Sequence, residues 1–240
     1  MDNRIIFALV AIALVLVGGY LYYNAGATVT AQGTAQVTAT PDEVSVYINI
    51  EARNSSAELA QAQQSEINDN LLTELIKLGL ERKDIQTTNF NVYEDFDWRN
   101  GGRTSKGFIA SHQILVKTDK FDKVGAIVDK AIEAGALVSG INFELSQEKQ
   151  NEYKQDALKK AGEDARKKAE ATAEGLGKSL GRLVSVESNE FNYNPYQLYA
   201  AGGMDMAKSN AEAKSVAMNI APKDIDTSAT IQVKYKLSLF

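Results

Sequence analysis

The residues able to do chemistry in this chain of 240 residues are few: a single histidine, His112, and no cysteine. Without cysteine there is no thiol nucleophile, no thiolate metal site and no disulfide, so stability must come from packing and hydrogen bonds. A Ser–His hydrolase needs an activated hydroxyl beside its imidazole, and no nucleophile-elbow pattern occurs. His112 shares strand parity with Phe108, Ala110, Ile114 and Val116. The pattern therefore predicts an imidazole anchored by hydrogen bonds on or near the core face, not a general base. Asp95 and Asp97 before Asn100-Gly101 echo a calcium loop, but Arg99 stands at a ligand position and no Glu closes the loop. Gly101-Gly102 and Gly202-Gly203 lack the strand-to-helix setting and the Lys of a phosphate cradle, and read as turns. The expectation is a protein without catalytic residues, metal or cofactor, a hydrolase being the least favoured class.

Aromatic residues in connecting segments carry more information. Phe96 and Trp98 fall at the tip of an expected hairpin. Tyr193, Tyr196 and Tyr199 fall beside Met204 and Met206 in an expected long loop, about residues 189–224. Rigid or adaptable apolar groups in such places mark contact with another chain or with lipid, unless they fold back over their own domain. A formal net charge of −5 argues against general capture of nucleic acid, which needs clustered basic surface.

The elements that must position these residues follow from periodicity. Residues 29–39 and 44–53 alternate with period two on either side of Thr40-Pro41-Asp42 and read as a hairpin. Ser55-Ser56-Ala57-Glu58 then caps a first helix carrying Ile67, Leu71, Leu75 and Leu78, ended by Gly79 and packed on that sheet. Strands at about 85–94 and 106–117 form a second hairpin with a long tip. A helix at about 119–134 and a strand with Ile141, Phe143 and Leu145 come next. The third helix, about 147–176, bears a narrow stripe of Tyr153, Ala157, Ala161, Ala165, Ala169, Ala173 and Leu176, which suits close packing within the chain. Its outer faces hold acid-first pairs Asp156-Lys160, Glu163-Lys167 and Asp164-Lys168, each worth about 0.2–0.5 kcal/mol. A strand near 183–187 and a final strand with Ile231, Val233, Tyr235, Leu237 and Leu239 complete the set. The expected fold is α+β: antiparallel or mixed sheets with hairpins and packed helices, in two strand-helix-strand modules with one long third helix. A single continuous domain over 28–240 is expected.

Residues 1–27 stand apart. No charged side chain occurs from Ile5 to Pro41, and the run through Phe7, Leu9, Leu14 and Leu16 can cross a hydrocarbon core of about 30 Å at about 1.5 Å per residue. Tyr20, Tyr22 and Tyr23 resemble an interfacial aromatic belt. The segment reads as an uncleaved transmembrane anchor, with Arg4 and the N-terminus inside and the main domain outside. The alternative is a signal peptide cut near Ala27, giving a secreted or periplasmic chain.

In this order the segments resemble the SIMPL-domain family. The resemblance is carried by Thr40-Pro41-Asp42-Glu43-Val44, Asp84-Ile85-Gln86-Thr87, Gly107-Phe108-Ile109-Ala110-Ser111, Val124-Gly125, Ala134-Gly135-Ala136 and Ile141-Asn142-Phe143. It continues through Asp164-Ala165-Arg166-Lys167-Lys168-Ala169-Glu170 and Leu176-Gly177-Lys178-Ser179-Leu180-Gly181. The chain departs from the family before the last strand, where Pro222-Lys223-Asp224 replaces a Pro-Gly step. The resemblance implies an exported or membrane-attached protein that assembles into symmetric rings and is linked to envelope stress tolerance. It implies no agreed reaction, and no catalytic residue is carried over. The partners so expected are the lipid bilayer, further copies of the chain and an envelope protein; the alternative is an extracytoplasmic module that binds a ligand or partner through its aromatic loops.

Overall fold

The computed structural model describes residues 12–18, 26–98, 102–201, 205–217 and 222–238. The chain is α+β, as its patterns predict. It divides into two compact units, Thr38–Gln150 with Asn194–Ile225, and the described parts of Met1–Val37, Asn151–Tyr193 and Asp226–Phe240.

The first unit is a five-stranded sheet in the order β3-β4-β2-β5-β7. Its strands are β2 (Glu43–Asn54), β3 (Ile85–Asp97), β4 (Thr104–Thr118), β5 (Leu137–Glu144) and β7 (Tyr196–Ala200), and all four pairings are antiparallel. Alternation in β2 sends Val44, Val46, Ile48 and Ile50 into a core with Leu71, Leu75, Ile127 and Phe143. Full burial of each such side chain is worth about 1.5–3 kcal/mol. Helix α1 (Ala57–Lys77) starts where the Ser56 hydroxyl accepts from the Leu59 N–H at 3.2 Å, and α2 (Val124–Glu133) follows one short 3-10 turn. The Ser55-to-Glu58 box puts the cap at Ser55, one residue before the observed Ser56, and the predicted 85–117 hairpin forms.

The second unit is a three-stranded sheet, β1 (Thr28–Ala39), β8 (Ile225–Ser238) and β6 (Ser179–Tyr193), ordered β1-β8-β6. Helix α3 (Gln147–Gly175) lays its alanine stripe on it: Ala165 and Ala169 meet Val29, Ala31 and Val233, while Ala157 and Ala161 meet Val37 and Ala229. The stripe is an intrachain seam. A Cβ on Gly33 would run into the Ala161 carbonyl oxygen and the Ala165 backbone nitrogen, so β1 approaches α3 at a distance that only glycine permits. On the flank, Asp164 accepts from the Lys168 ammonium at 2.6 Å and from the Thr34 N–H at 2.9 Å, and these contacts, Lys168 first, hold its carboxyl below the usual range. The Asp156–Lys160 pair also forms, at 2.9 Å.

Two expectations are corrected. Strands β1 and β2 do not form a hairpin, because both edges of β2 are taken by β4 and β5 and β1 belongs to the other sheet. Thr40-Pro41-Asp42 is instead tied to the end of β5: the Asp42 N–H donates to the Glu144 carbonyl, and the Asp42 carboxylate accepts from the Ser146 N–H and hydroxyl, both at 2.7 Å. Second, residues 189–224 are not a long loop. They contain the end of β6, all of β7 and helix α4 (Met206–Ala217). Buried polar contacts fix this segment, since Asn210 accepts from the Val138 N–H and donates to the Ala136 carbonyl, each at 3.1 Å.

Candidate functional site

The β3–β4 hairpin projects the predicted aromatic tip. Its register runs from Ile85 opposite Val116 to Asp97 opposite Thr104, with irregularities after Thr87 and after Asp95. Gly107 lies opposite Asp95 with φ of +95°, and a Cβ there would strike the Asn54 carbonyl, so the strand can turn outward only at a glycine. Beyond it the Arg103 guanidinium sits 3.5 Å above the Phe96 ring, and the Phe96 and Trp98 rings lie 6.3 Å apart. Phe96 is half-buried by this stacking, whereas Trp98 is 71% exposed. The two aspartates of the calcium-like spacing are engaged by cations: Asp95 by Arg53 at 2.7 Å and Asp97 by Lys106 at 3.8 Å.

Strand β3 is also the outer strand of its sheet, so among the described residues one side of its backbone has no ladder partner. Phe90 and Tyr93 are exposed along it. In the other unit β6 is likewise an outer strand, with Leu183, Val184 and Val186 exposed. These edge positions were not singled out from sequence. The run Leu183-Val184-Ser185-Val186 breaks alternation and is a usable signal, but whether a strand lies at an edge depends on topology.

The tyrosine group dissolves. Tyr199, expected in an exposed loop, is 4% exposed on β7, and its hydroxyl lies 2.8 Å from the Ser209 carbonyl and 3.0 Å from the Ser209 hydroxyl. Tyr196 is half-buried and stacks on Phe143 with centroids 6.0 Å apart. Tyr193 ends β6 half-buried, and Met206 begins α4 exposed. Met204 lies outside the described residues. Ile5, Phe7, Leu9, Tyr20, Tyr22 and Tyr23 do too; residues 12–18 are helical, with Leu14 and Leu16 exposed. Among the described residues no helix is long and apolar enough to cross a membrane.

His112 lies on β4 as its parity predicts, nearly buried. Its Nδ1 is 2.9 Å from Gln64 Nε2, its Nε2 is 3.0 Å from the Thr87 hydroxyl, and Phe90 meets its ring edge-on at 5.8 Å. An amide N–H can only donate, so Nδ1 accepts from Gln64 and Nε2 carries the proton, which it donates to Thr87. Burial pushes its pKa below the ordinary value.

A family model described as SIMPL, a protein of unknown function (DUF541), matches residues 29–235. The chain belongs to the SIMPL family. It is 28% identical over 188 residues to the uncharacterized protein YggE of Escherichia coli K12, covering 78% of this chain and 76% of that one. To YggE of Edwardsiella ictaluri it is 26% identical over 217 residues, covering 89% and 88%. To the 26 kDa periplasmic immunogenic protein of Brucella melitensis it is 26% identical over 182 residues, covering 74% and 72%. The SIMPL match spans residues of both compact units.

Proposed function

We propose that this SIMPL protein is a non-enzymatic component of the cell envelope, held at the cytoplasmic membrane by its N-terminal apolar segment. Its main domain lies outside the cytoplasm and assembles with further copies of the chain into a closed ring or cage that serves as a scaffold under envelope stress. The observation that carries this reading is Trp98, 71% exposed at the end of a hairpin whose outer strand is a sheet edge. A large rigid aromatic group on an unpaired edge suits an interface anchor: truncating such an anchor costs more than about 1–2 kcal/mol, and a closed ring repeats that loss at each joint. The Brucella relative is named for a periplasmic location, which supports the placement, and the charge-free run from Ile5 supports the attachment. Tyr199 and Tyr196 are excluded from the contact set because they pack inside their own unit; Phe96 and Trp98 stay in it.

The test uses the full chain in its membrane. It should resist alkaline washing, begin at or near Met1, and give a multiple of the chain mass after detergent extraction. Trp98→Ala with Phe90→Ala and Tyr93→Ala should yield smaller species with unchanged circular dichroism. A monomeric wild-type chain refutes the scaffold, and an N-terminus at Thr28 refutes the anchor. An unchanged mass in the triple variant moves the joint elsewhere.

A further inference from the structure

A cleft of about 180 Å³ opens between α1 and the β3–β4 strands of the larger unit, beside His112. Its wall is aliphatic: Leu72 and Ile76 from α1, Ile85 from β3 and Ile114 from β4. Three polar groups converge on it with capacity left over. Asn68 lies one turn before Leu72, and its Oδ1 is buried without a hydrogen-bond partner, while its Nδ2 donates to Asp69 at 3.3 Å. A buried carbonyl oxygen left unmade costs about 1–3 kcal/mol, so this acceptor favours any ligand that can donate to it. Thr87 receives the His112 Nε2 proton, which leaves its own hydroxyl hydrogen with no acceptor among the described residues. The Gln64–His112–Thr87 chain thus leaves the exposed Thr87, which lines the cleft, a hydroxyl hydrogen to donate. Arg82, in the turn before β3, lines the same cleft and has no ion-pair partner among the described residues.

The groups ask for one kind of molecule. A guanidinium and a hydroxyl donor suit a carboxylate, with the guanidinium able to engage both oxygens. Asn68 Oδ1 asks for an O–H or N–H on a neighbouring carbon. The aliphatic wall asks for a branched hydrocarbon. The volume equals about six waters at ~30 Å³ each, which excludes nucleotides, sugars larger than one ring and drug-sized ligands.

We infer that this cleft binds a small α-hydroxy or α-amino carboxylic acid with a branched aliphatic tail. The carboxylate sits on Arg82 and Thr87, the α-substituent donates to Asn68, and the tail lies against Leu72, Ile76 and Ile114. The acid is held and not transformed, since His112 is spent on orienting Thr87. Gln64 and His112 are positioning residues here. The site lies within one compact unit and does not depend on assembly.

Equilibrium dialysis of the full detergent-solubilised chain against labelled 2-hydroxy-4-methylpentanoate and labelled L-leucine tests it. Saturable binding near one per chain, with a Kd at or below about 1 mM, is expected for at least one of the two. Leucinamide, which lacks the carboxylate, should compete at least tenfold less well. Arg82→Gln changes an exposed residue and leaves the fold alone; it should weaken the acid at least tenfold and erase the preference over leucinamide. His112→Gln should weaken binding less than Arg82→Gln. No saturable binding of either acid overturns the inference, as does binding that Arg82→Gln leaves unchanged.

Discussion

Replacing Gly33 by alanine should cost far more than a methyl group on a strand ordinarily does. The added Cβ meets the Ala161 carbonyl and the Ala165 nitrogen, both backbone atoms of α3, and neither can rotate away as a side chain would. Overpacking typically costs about 1–3 kcal/mol, and rigid neighbours place this case near the top, about 2–3 kcal/mol. At roughly 2–4 °C per kcal/mol for a chain of this size, the melting temperature should fall by roughly 4–12 °C. Gly162→Ala is the internal control on the same helix. Its Cβ would meet only Ile231 Cδ1 at 3.9 Å, an ordinary contact, and alanine within a helix gains about 0.5–1 kcal/mol over glycine. The two substitutions therefore move stability in opposite directions. Differential scanning calorimetry of both variants decides the matter: a Gly33→Ala transition at the wild-type temperature refutes the close approach of β1 to α3.

Two further outcomes rest on buried polar groups. Because burial depresses the folded-state pKa of His112 below 6.5, the unfolded chain takes up the proton first, so stability present above that pH is lost as pH falls through and below it. Urea midpoints compared between about pH 7.5 and 5 should fall more steeply for wild type than for His112→Gln, and parallel slopes would disprove it. Tyr199→Phe leaves the Ser209 carbonyl without its buried donor and the Ser209 hydroxyl without the phenolic oxygen it can donate to, and should cost about 1–3 kcal/mol by urea unfolding; a neutral effect would mean that water replaces the hydroxyl.

Period-two and helical patterns were enough to place most strands and helices, because burial of one face is written in the order of residues. His112 was legible for the same reason: its neighbours at even spacing are apolar. Pairing was not. Nothing in Val29 to Ala39 says that its partner is a strand near the other end of the chain, and a Thr-Pro-Asp step between two alternating runs looks like a turn whether or not they pair. The segment after Tyr193 misled for another reason. Its anchors are Asn210, bonded to the distant backbone of Ala136 and Val138, and the Tyr199 hydroxyl, bonded to Ser209 ten residues on; a polar Ala-rich stretch carries no hydrophobic period that would reveal such bonds. The cleft beside His112 was likewise invisible, since Asn68, Arg82 and Thr87 converge only once α1 lies over β3 and β4.

The place of β8 in its sheet sets a timetable for folding. The middle strand of the smaller unit is the last one made, while β1 is the first. As the chain is synthesised, β1 and β6 therefore wait with their ladder groups open until residues 225–238 have emerged. The core of the larger unit, by contrast, draws most of its residues from the continuous stretch 38–150 and can form early. Closing a sheet across almost the whole chain is slow, because the loop entropy must be paid before any contact rewards it. In that interval the amphipathic strand β1 and the apolar edge of β6 are open to pairing with other chains, so the smaller unit is where a holding chaperone would be most needed and where misassembly would begin.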